Sequence, residues 1–107
     1  DENTAYLGIS GGTLNEDEAA KYGYPAGIYV SMVARGSAAE RAGLVQGDII
    51  TGFNGEAIST MEELQEKLEA CMPGDQVTLT IQRQTGRSSF TESELSTILG
   101  SKADMEE

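Results

Sequence analysis

The segment Ala39–Thr60 constrains the fold of this chain more than any other part, because helix, strand and turn signals follow one another in a tight order. Gly43 ends a short helix that begins with a capping pattern at Ser37. The apolar run Asp48–Phe53 then predicts a strand. Asn54-Gly55 follows directly, and this dipeptide is the strongest short-range signal for a β-hairpin. The order predicts a compact fold of short strands joined by tight turns.

The residues before this segment predict a strand at Ala5–Ser10, a short helix at Asn15–Tyr22 and a second strand at Gly27–Val33. Asn15 with Glu18 three residues later is a capping-box pattern for the start of the helix. Gly11-Gly12 interrupts the pattern of the first strand. Gly27–Val33 is an unbroken apolar run, which predicts a buried strand.

The longest predicted helix is Met61–Cys71, with Ser59 or Thr60 as its N-cap. Its apolar residues recur at helical spacing and form one face: Met61, Leu64, Leu68 and Cys71 or Met72. Such a face needs a sheet to cover it. We interpret Cys71, the single cysteine, as a small core residue on this face.

The C-terminal part predicts two more strands. Gln76–Arg83 alternates apolar and polar residues, which indicates a half-buried strand. A turn at Thr85-Gly86 leads to a last strand over Ser88–Glu94, and we expect Leu95–Leu99 to add a covering segment.

The predicted fold class is α+β, with five or six short strands forming a partly open β-barrel or sandwich. One longer helix and two short helices cap it. At 107 residues the chain is large enough for one domain with its own core. We place this domain at residues 5–99, after a linker remnant at 1–4 and before an acidic, disordered tail at 100–107. The chain reads as a domain excised from a longer protein.

The charge of the chain excludes several classes of partner. Asp and Glu number 18 against 7 Lys and Arg, which gives a net charge of −11. A surface this acidic repels phosphate backbones and anionic lipids, so we expect neither nucleic acid nor membrane contact. Neutral or basic peptides should approach it faster than acidic ones.

Enzyme chemistry finds no support in the sequence. Gly8-Ile9-Ser10-Gly11-Gly12 matches the G-x-S-x-G pattern of hydrolases, but the chain has no histidine to serve as the base. One cysteine without histidine excludes an internal disulfide and a zinc site. We therefore expect no catalytic residues, no metal and no cofactor in this chain.

A peptide groove is the remaining candidate site. The glycine of Tyr6-Leu7-Gly8-Ile9 permits unusual backbone dihedrals, and successive N–H groups in such a turn form an anion-binding concavity. A peptide carboxylate would dock there, and the peptide backbone would pair with Ile9-Ser10-Gly11-Gly12 as an added strand. The longest helix would supply the far wall, with Met61, Leu64, Gln65 and Leu68. The alternative is that Leu7, Ile9, Leu64 and Leu68 simply form the core.

These motifs, in this order, resemble those of bacterial PDZ domains. The elements that carry the resemblance are the YLGI opening, the block GSAAERAGLVQGDIITGFNG, the helix STMEELQEKL and the strand PGDQVTLTIQR. The segment LNEDEAAKYGYPAGIYV is similar to one that HtrA/DegP-like (Do-type) serine proteases carry between their first two PDZ strands. The resemblance covers Ala5 to about Gly100.

The resemblance implies a PDZ fold and a set of peptide-binding positions. The carboxylate-binding loop would be Tyr6, Leu7, Gly8 and Ile9, and the peptide-pairing strand would be Ile9, Ser10, Gly11 and Gly12. The groove would be lined by Met61, Gln65 and Leu68, with Leu64 at its border with the core. An apolar last peptide residue would fill a pocket of Leu7, Ile9, Leu64 and Leu68. Met61 stands where some PDZ domains have a histidine that selects a hydroxyl, which implies an apolar preference at that peptide position.

The resemblance also implies a function. The domain would recognise C-terminal or hydrophobic peptide ends, including those of unfolded proteins, and would regulate or present substrate to a linked trypsin-like serine protease domain in protein quality control. Catalysis would belong to the parent protein, in the periplasm or at the cell surface, where the parent can be membrane-anchored. Two alternatives stay open. One is a PDZ domain of a tail-specific protease or a site-2 metalloprotease, and the other is a non-proteolytic adaptor.

Overall fold

The computed structural model describes residues 5–87 and 89–101. Its strands are β1 (Ala5–Tyr6), β2 (Ile9–Leu14), β3 (Gly27–Val33), β4 (Ile49–Phe53), β5 (Glu56–Ala57), β6 (Gln76–Gln84), β7 (Phe90–Ile98) and β8 (Gly100–Ser101). Its helices are α1 (Glu16–Tyr22), α2 (Ala38–Ala42) and α3 (Met61–Glu69). One longer helix and two short ones accompany a mostly antiparallel sheet, which confirms the predicted α+β class.

β2 is an edge strand of the main sheet. Its strand order is β2-β3-β4-β6-β7, with β5 paired to β4, and neighbouring strands run antiparallel. A separate pair joins β1 to β8. Within the described residues the sheet is open, because β2 and β7 form its two borders rather than pairing with each other. The free side of β2 is therefore available for a further strand.

The core lies between the sheet and α3. Ile28, Val30 and Ile50 are fully buried, as are Leu79 and Ile81 of β6. Leu64 of α3 packs into this core at 1% exposure. The apolar residues on either side of Leu64 along the helix are only half-buried against the core, which leaves part of the helix face uncovered.

Local signals placed the turns and helix starts correctly. Asn54 and Gly55 both have positive φ, at 51° and 84°, as a two-residue hairpin turn requires. Asn15 and Glu18 form the predicted capping box of α1. Of the two candidate caps for α3, Thr60 is the N-cap and forms a box with Glu63. The pKa of Glu63 is lowered, chiefly because its carboxylate accepts hydrogen bonds from the backbone N–H and the hydroxyl of Ser59.

Three predicted boundaries were wrong. The longest helix ends at Glu69 rather than Cys71, because the Cys71 N–H donates to the Leu68 carbonyl in a tighter turn and Pro73 has no N–H to continue the helix. Leu95–Leu99 is no separate covering segment, since β7 continues to Ile98 in register with β6. Gly100 and Ser101 pair with β1, so the folded part extends past residue 99. The linker remnant 1–4, Ser88 and the rest of the acidic tail, 102–107, lie outside the described residues.

The prediction that Gly11 and Gly12 interrupt the first strand was wrong, because both lie within β2. The break falls earlier, at Leu7 and Gly8, where Gly8 has a φ of +94°. Gly11 sits beside a register shift between β2 and β3, where the two backbones come very close. A Cβ on Gly11 would lie 1.9 Å from the carbonyl oxygen of Tyr29, so only glycine fits.

Replacing Gly11 with alanine should lower the free energy of unfolding by about 1–3 kcal/mol, because the added methyl group forces the two strands apart. Gly12→Ala is the matched control, since a Cβ at that position meets nothing within 4 Å. We expect the control to change stability by about 0.5 kcal/mol or less. Urea denaturation of both variants beside the unaltered chain measures the difference, and equal stability of the two variants would contradict the close approach.

Candidate functional site

A cleft of about 170 Å³ lies between the N-terminal end of β2 and the exposed side of α3. The residues that line it come from two parts of the chain: Ala5, Tyr6, Leu7, Gly8 and Ile9 on one side, and Met61, Leu64, Gln65 and Leu68 on the other. The structure therefore brings together the predicted carboxylate loop and the predicted helix wall. Ala5 was not among the predicted site residues; it belongs to β1 and is buried beside the loop.

The loop between β1 and β2 turns its carbonyl groups inward. The carbonyl oxygen of Leu7 accepts a hydrogen bond from Ala39 N at 2.8 Å, and that of Gly8 accepts one from Ala34 N at 2.8 Å. Neither the Leu7 N–H nor the Gly8 N–H donates a hydrogen bond to another described residue. Two neighbouring amide donors without an acceptor are a site that favours an anion.

Ile9 continues this set of backbone groups along the border strand. It lies opposite Val33 of β3, and the bond from Ala34 N to the Gly8 carbonyl shows that the pair is of the non-hydrogen-bonded kind. The N–H and C=O of Ile9 therefore point away from β3, toward the free side of β2. Both groups are placed to pair with the backbone of an added strand.

Ser37 packs directly against the loop at Gly8. This residue is 1% exposed, and its hydroxyl donates to the Ala34 carbonyl at 2.7 Å and accepts from Glu40 N at 3.2 Å. A Cβ on Gly8 would lie 2.2 Å from the Cβ of Ser37. Gly8 is therefore required twice, for its positive φ and for this packing.

The helix wall of the cleft is apolar. Leu64 and, across the cleft, Leu7 are each 1% exposed, so these two belong to the core and reach only the floor of the cleft. Ile9, Met61 and Leu68 are half-buried and leave apolar surface uncovered. Gln65 is exposed on the same side of α3. The predicted apolar residues thus divide between the core and an open wall.

Thr13 connects the two walls at the other end of β2. The N–H of Met61 donates to the hydroxyl oxygen of Thr13, with an N···O distance of 3.0 Å. As the first residue of α3, Met61 has no acceptor for this N–H within the helix. The sequence analysis did not identify Thr13. Its position two residues after Gly11 places it on the same face of the strand as Gly11.

Other candidates for chemistry are dispersed. Ser10 lies exposed on β2, and its carbonyl accepts a hydrogen bond from the Ser31 hydroxyl. Cys71 is half-buried, and desolvation raises the pKa of its thiol, with a further contribution from Asp75. The described residues contain no group of side chains suited to hold a metal ion, and none of their helices is long and apolar enough to cross a membrane.

Comparison with known proteins assigns the chain to one family. A family model described as PDZ domain matches residues 5–93. A probable periplasmic serine protease, do/HhoA-like, from Haemophilus influenzae is 46% identical over 79 residues, which is 72% of this chain and 17% of that protein. The periplasmic pH-dependent serine endoprotease DegQ of Escherichia coli is 34% identical over 102 residues, covering 94% of this chain and 22% of DegQ.

The chain spans about a fifth of the length of these curated relatives. Among solved structures, the HtrA3 PDZ domain bound to a phage-derived ligand, FGRWV, is similar with a TM-score of 0.71 and 27% identity. That match covers 89% of this chain and 84% of the solved chain.

Proposed function

The chain belongs to the PDZ domain family, and from this premise we propose that it binds the C-terminal ends of peptides in the cleft between β2 and α3. The observation that carries the proposal is the pair of amide groups at Leu7 and Gly8, which lack an acceptor among the described residues and stand beside an apolar cleft and an open strand border. A peptide end offers a matching carboxylate, side chain and backbone.

Binding proceeds by strand addition with capture of the carboxylate. The N–H groups of Leu7, Gly8 and Ile9 donate to the terminal carboxylate, and Tyr6 flanks them in the loop. The peptide backbone then pairs with β2 along Ile9–Gly12. These charge-assisted bonds favour a chain end over an internal segment, because an internal segment has no carboxylate at that place.

The apolar cleft sets the preference for the last peptide side chain. Leu7 and Leu64 form its floor, and Ile9 and Leu68 its sides, so an aliphatic side chain is removed from water there. Met61 and Gln65 stand further along α3, beside earlier peptide residues. The Met61 side chain forms no strong hydrogen bond at this position, which favours an apolar peptide side chain there.

The parent protein is a serine endopeptidase of the HtrA type in this proposal, located in the periplasm. Two relatives that this chain matches are named periplasmic serine proteases. The chain has no histidine, so the catalytic residues belong to another part of the parent. The domain would recognise peptide ends of substrates or unfolded proteins and regulate or supply the protease domain of the same parent.

The peptide FGRWV with a free C-terminus should bind this domain with a dissociation constant on the order of micromolar, since a short flexible peptide loses conformational freedom on docking. The same peptide with a C-terminal amide should bind more weakly by a factor of about ten or more, because the charge-assisted bonds to the loop are lost. Isothermal titration calorimetry at constant ionic strength measures both peptides.

The scrambled peptide FVWRG controls for composition and net charge, which matter for an acidic domain, and it ends in glycine, which has no side chain to fill the cleft. It should bind more weakly than FGRWV. Equal affinity for the acid and the amide, or no binding of FGRWV at about millimolar concentration, would contradict capture of a chain end.

A further inference from the structure

We propose that Thr13 closes the far end of the cleft and limits the peptide stretch that pairs with β2 to the residues opposite Ile9–Gly12. This inference rests on the proposed function and refines it: the ligand class becomes a chain end of about four paired residues. Longer peptides bind through their last residues only, and their earlier residues leave the sheet.

The geometry of the two walls carries the proposal. Near the loop, β2 and α3 stand apart and enclose the cleft. At Thr13 they are joined, since its hydroxyl oxygen lies 3.0 Å from Met61 N. Paired strands are spaced about 4.8 Å apart, so no peptide backbone fits between these two atoms while the bond is intact.

The bond also has a reason to persist. The four N-terminal N–H groups of a helix have no acceptors within it, and Thr13 supplies one for Met61. Thr60 supplies another for Glu63 at 3.1 Å, and the Glu63 carboxylate accepts from the backbone of Ser59 and Thr60. The start of α3 is thus fixed both to its own cap and to β2. A peptide that displaced Thr13 would have to replace the hydrogen bond to Met61 N.

Peptides of increasing length test this limit. We would titrate N-acetylated RWV, GRWV, SGRWV and GSGRWV, whose added residues carry no apolar side chain. For the unaltered domain we expect a gain of about threefold from RWV to GRWV, and a change of less than about twofold from GRWV to GSGRWV. A gain of about fivefold or more over that second step would overturn the proposal.

Variants of Thr13 show whether its hydroxyl imposes the limit. Thr13→Val keeps the shape but removes the acceptor, so GSGRWV should bind this variant about three- to tenfold more tightly than GRWV does. Thr13→Ser keeps the hydroxyl and should show the same plateau as the unaltered domain. Thr13→Ala serves as a second variant without an acceptor. Amide hydrogen exchange of Met61 should accelerate in the valine and alanine variants and stay slow in the serine variant.

A plateau at GRWV in the valine and alanine variants would overturn the role of Thr13. If peptides bind but their affinity continues to rise with length in the unaltered domain, this inference fails while the proposed function stands. If none of the peptides binds the unaltered domain, both fail together.

Discussion

Replacing Leu68 with glutamate should weaken binding of FGRWV by about 30-fold or more while the domain stays folded. Leu68 is a half-buried side chain on the α3 wall of the cleft, next to the loop that we propose binds the peptide carboxylate. Glutamate removes about 2 kcal/mol of apolar contact, which corresponds to about 30-fold in affinity. It also places a second carboxylate near that of the peptide, and the two repel each other. Calorimetric titration measures the loss.

Two controls separate the cleft from general effects of charge and helix stability. Leu68→Met keeps an apolar side chain of similar volume and should retain affinity within about threefold. Ala70→Glu adds the same charge at the exposed end of α3 and should also bind nearly as the unaltered domain does. Unchanged affinity in Leu68→Glu would show that peptides bind elsewhere.

Replacing Asp48 with alanine should reduce the free energy of unfolding by about 2–4 kcal/mol. The Asp48 side chain is 1% exposed, and it accepts hydrogen bonds from Arg83 Nε at 2.9 Å, Arg83 Nη2 at 2.7 Å and Val45 N at 3.0 Å. Arg83 also donates to the Gly43 carbonyl at 2.9 Å, so the pair ties β6 to the segment between α2 and β4. Removing one partner of a buried pair typically costs about 3–5 kcal/mol. We expect less here because the Arg83 side chain is 40% exposed.

A second ion pair provides the comparison. Lys67 and Glu56 pair at the surface, with side chains 34% and 68% exposed. Lys67→Met should cost less than about 1 kcal/mol, because water screens and replaces an exposed pair. Urea denaturation of both variants gives the two values under identical conditions. Similar losses for Asp48→Ala and Lys67→Met would contradict the structural role of the buried pair.

Sequence reasoning predicted those parts of the fold whose geometry depends on neighbouring residues. The β3 strand has the predicted bounds, Gly27–Val33, and the turn at Asn54-Gly55 and the cap at Asn15 follow from local chemistry. The role of Gly11 depends instead on the Tyr29 carbonyl, which only the folded chain brings close. That residues 95–98 continue the last strand likewise depends on pairing with β6. The last strand is itself mostly polar, so its sequence gives little indication of where it ends.

The candidate site shows the same division. The loop and wall residues follow from motifs contiguous in sequence, and the resemblance to a known family located them. Thr13 was missed in the site, as was the buried Asp48–Arg83 pair outside it, because the contacting residues lie 48 and 35 residues apart in the chain. A threonine on a strand has no feature that identifies a helix N–H as its partner. Such contacts are decided by how elements pack, which single-sequence patterns do not encode.

The uncovered border of β2 carries a hazard for the molecule as well as a use. Exposed strand borders allow two copies of a protein to join their sheets and aggregate. Here the strand is only six residues long, its pairing with β3 shifts register between Ser10 and Gly11, and α3 is fastened across its far end at Thr13. A net charge of −11 further keeps copies apart. These features leave the edge of β2 open to the short peptide that we propose, and they oppose the pairing of two copies of the domain through that edge.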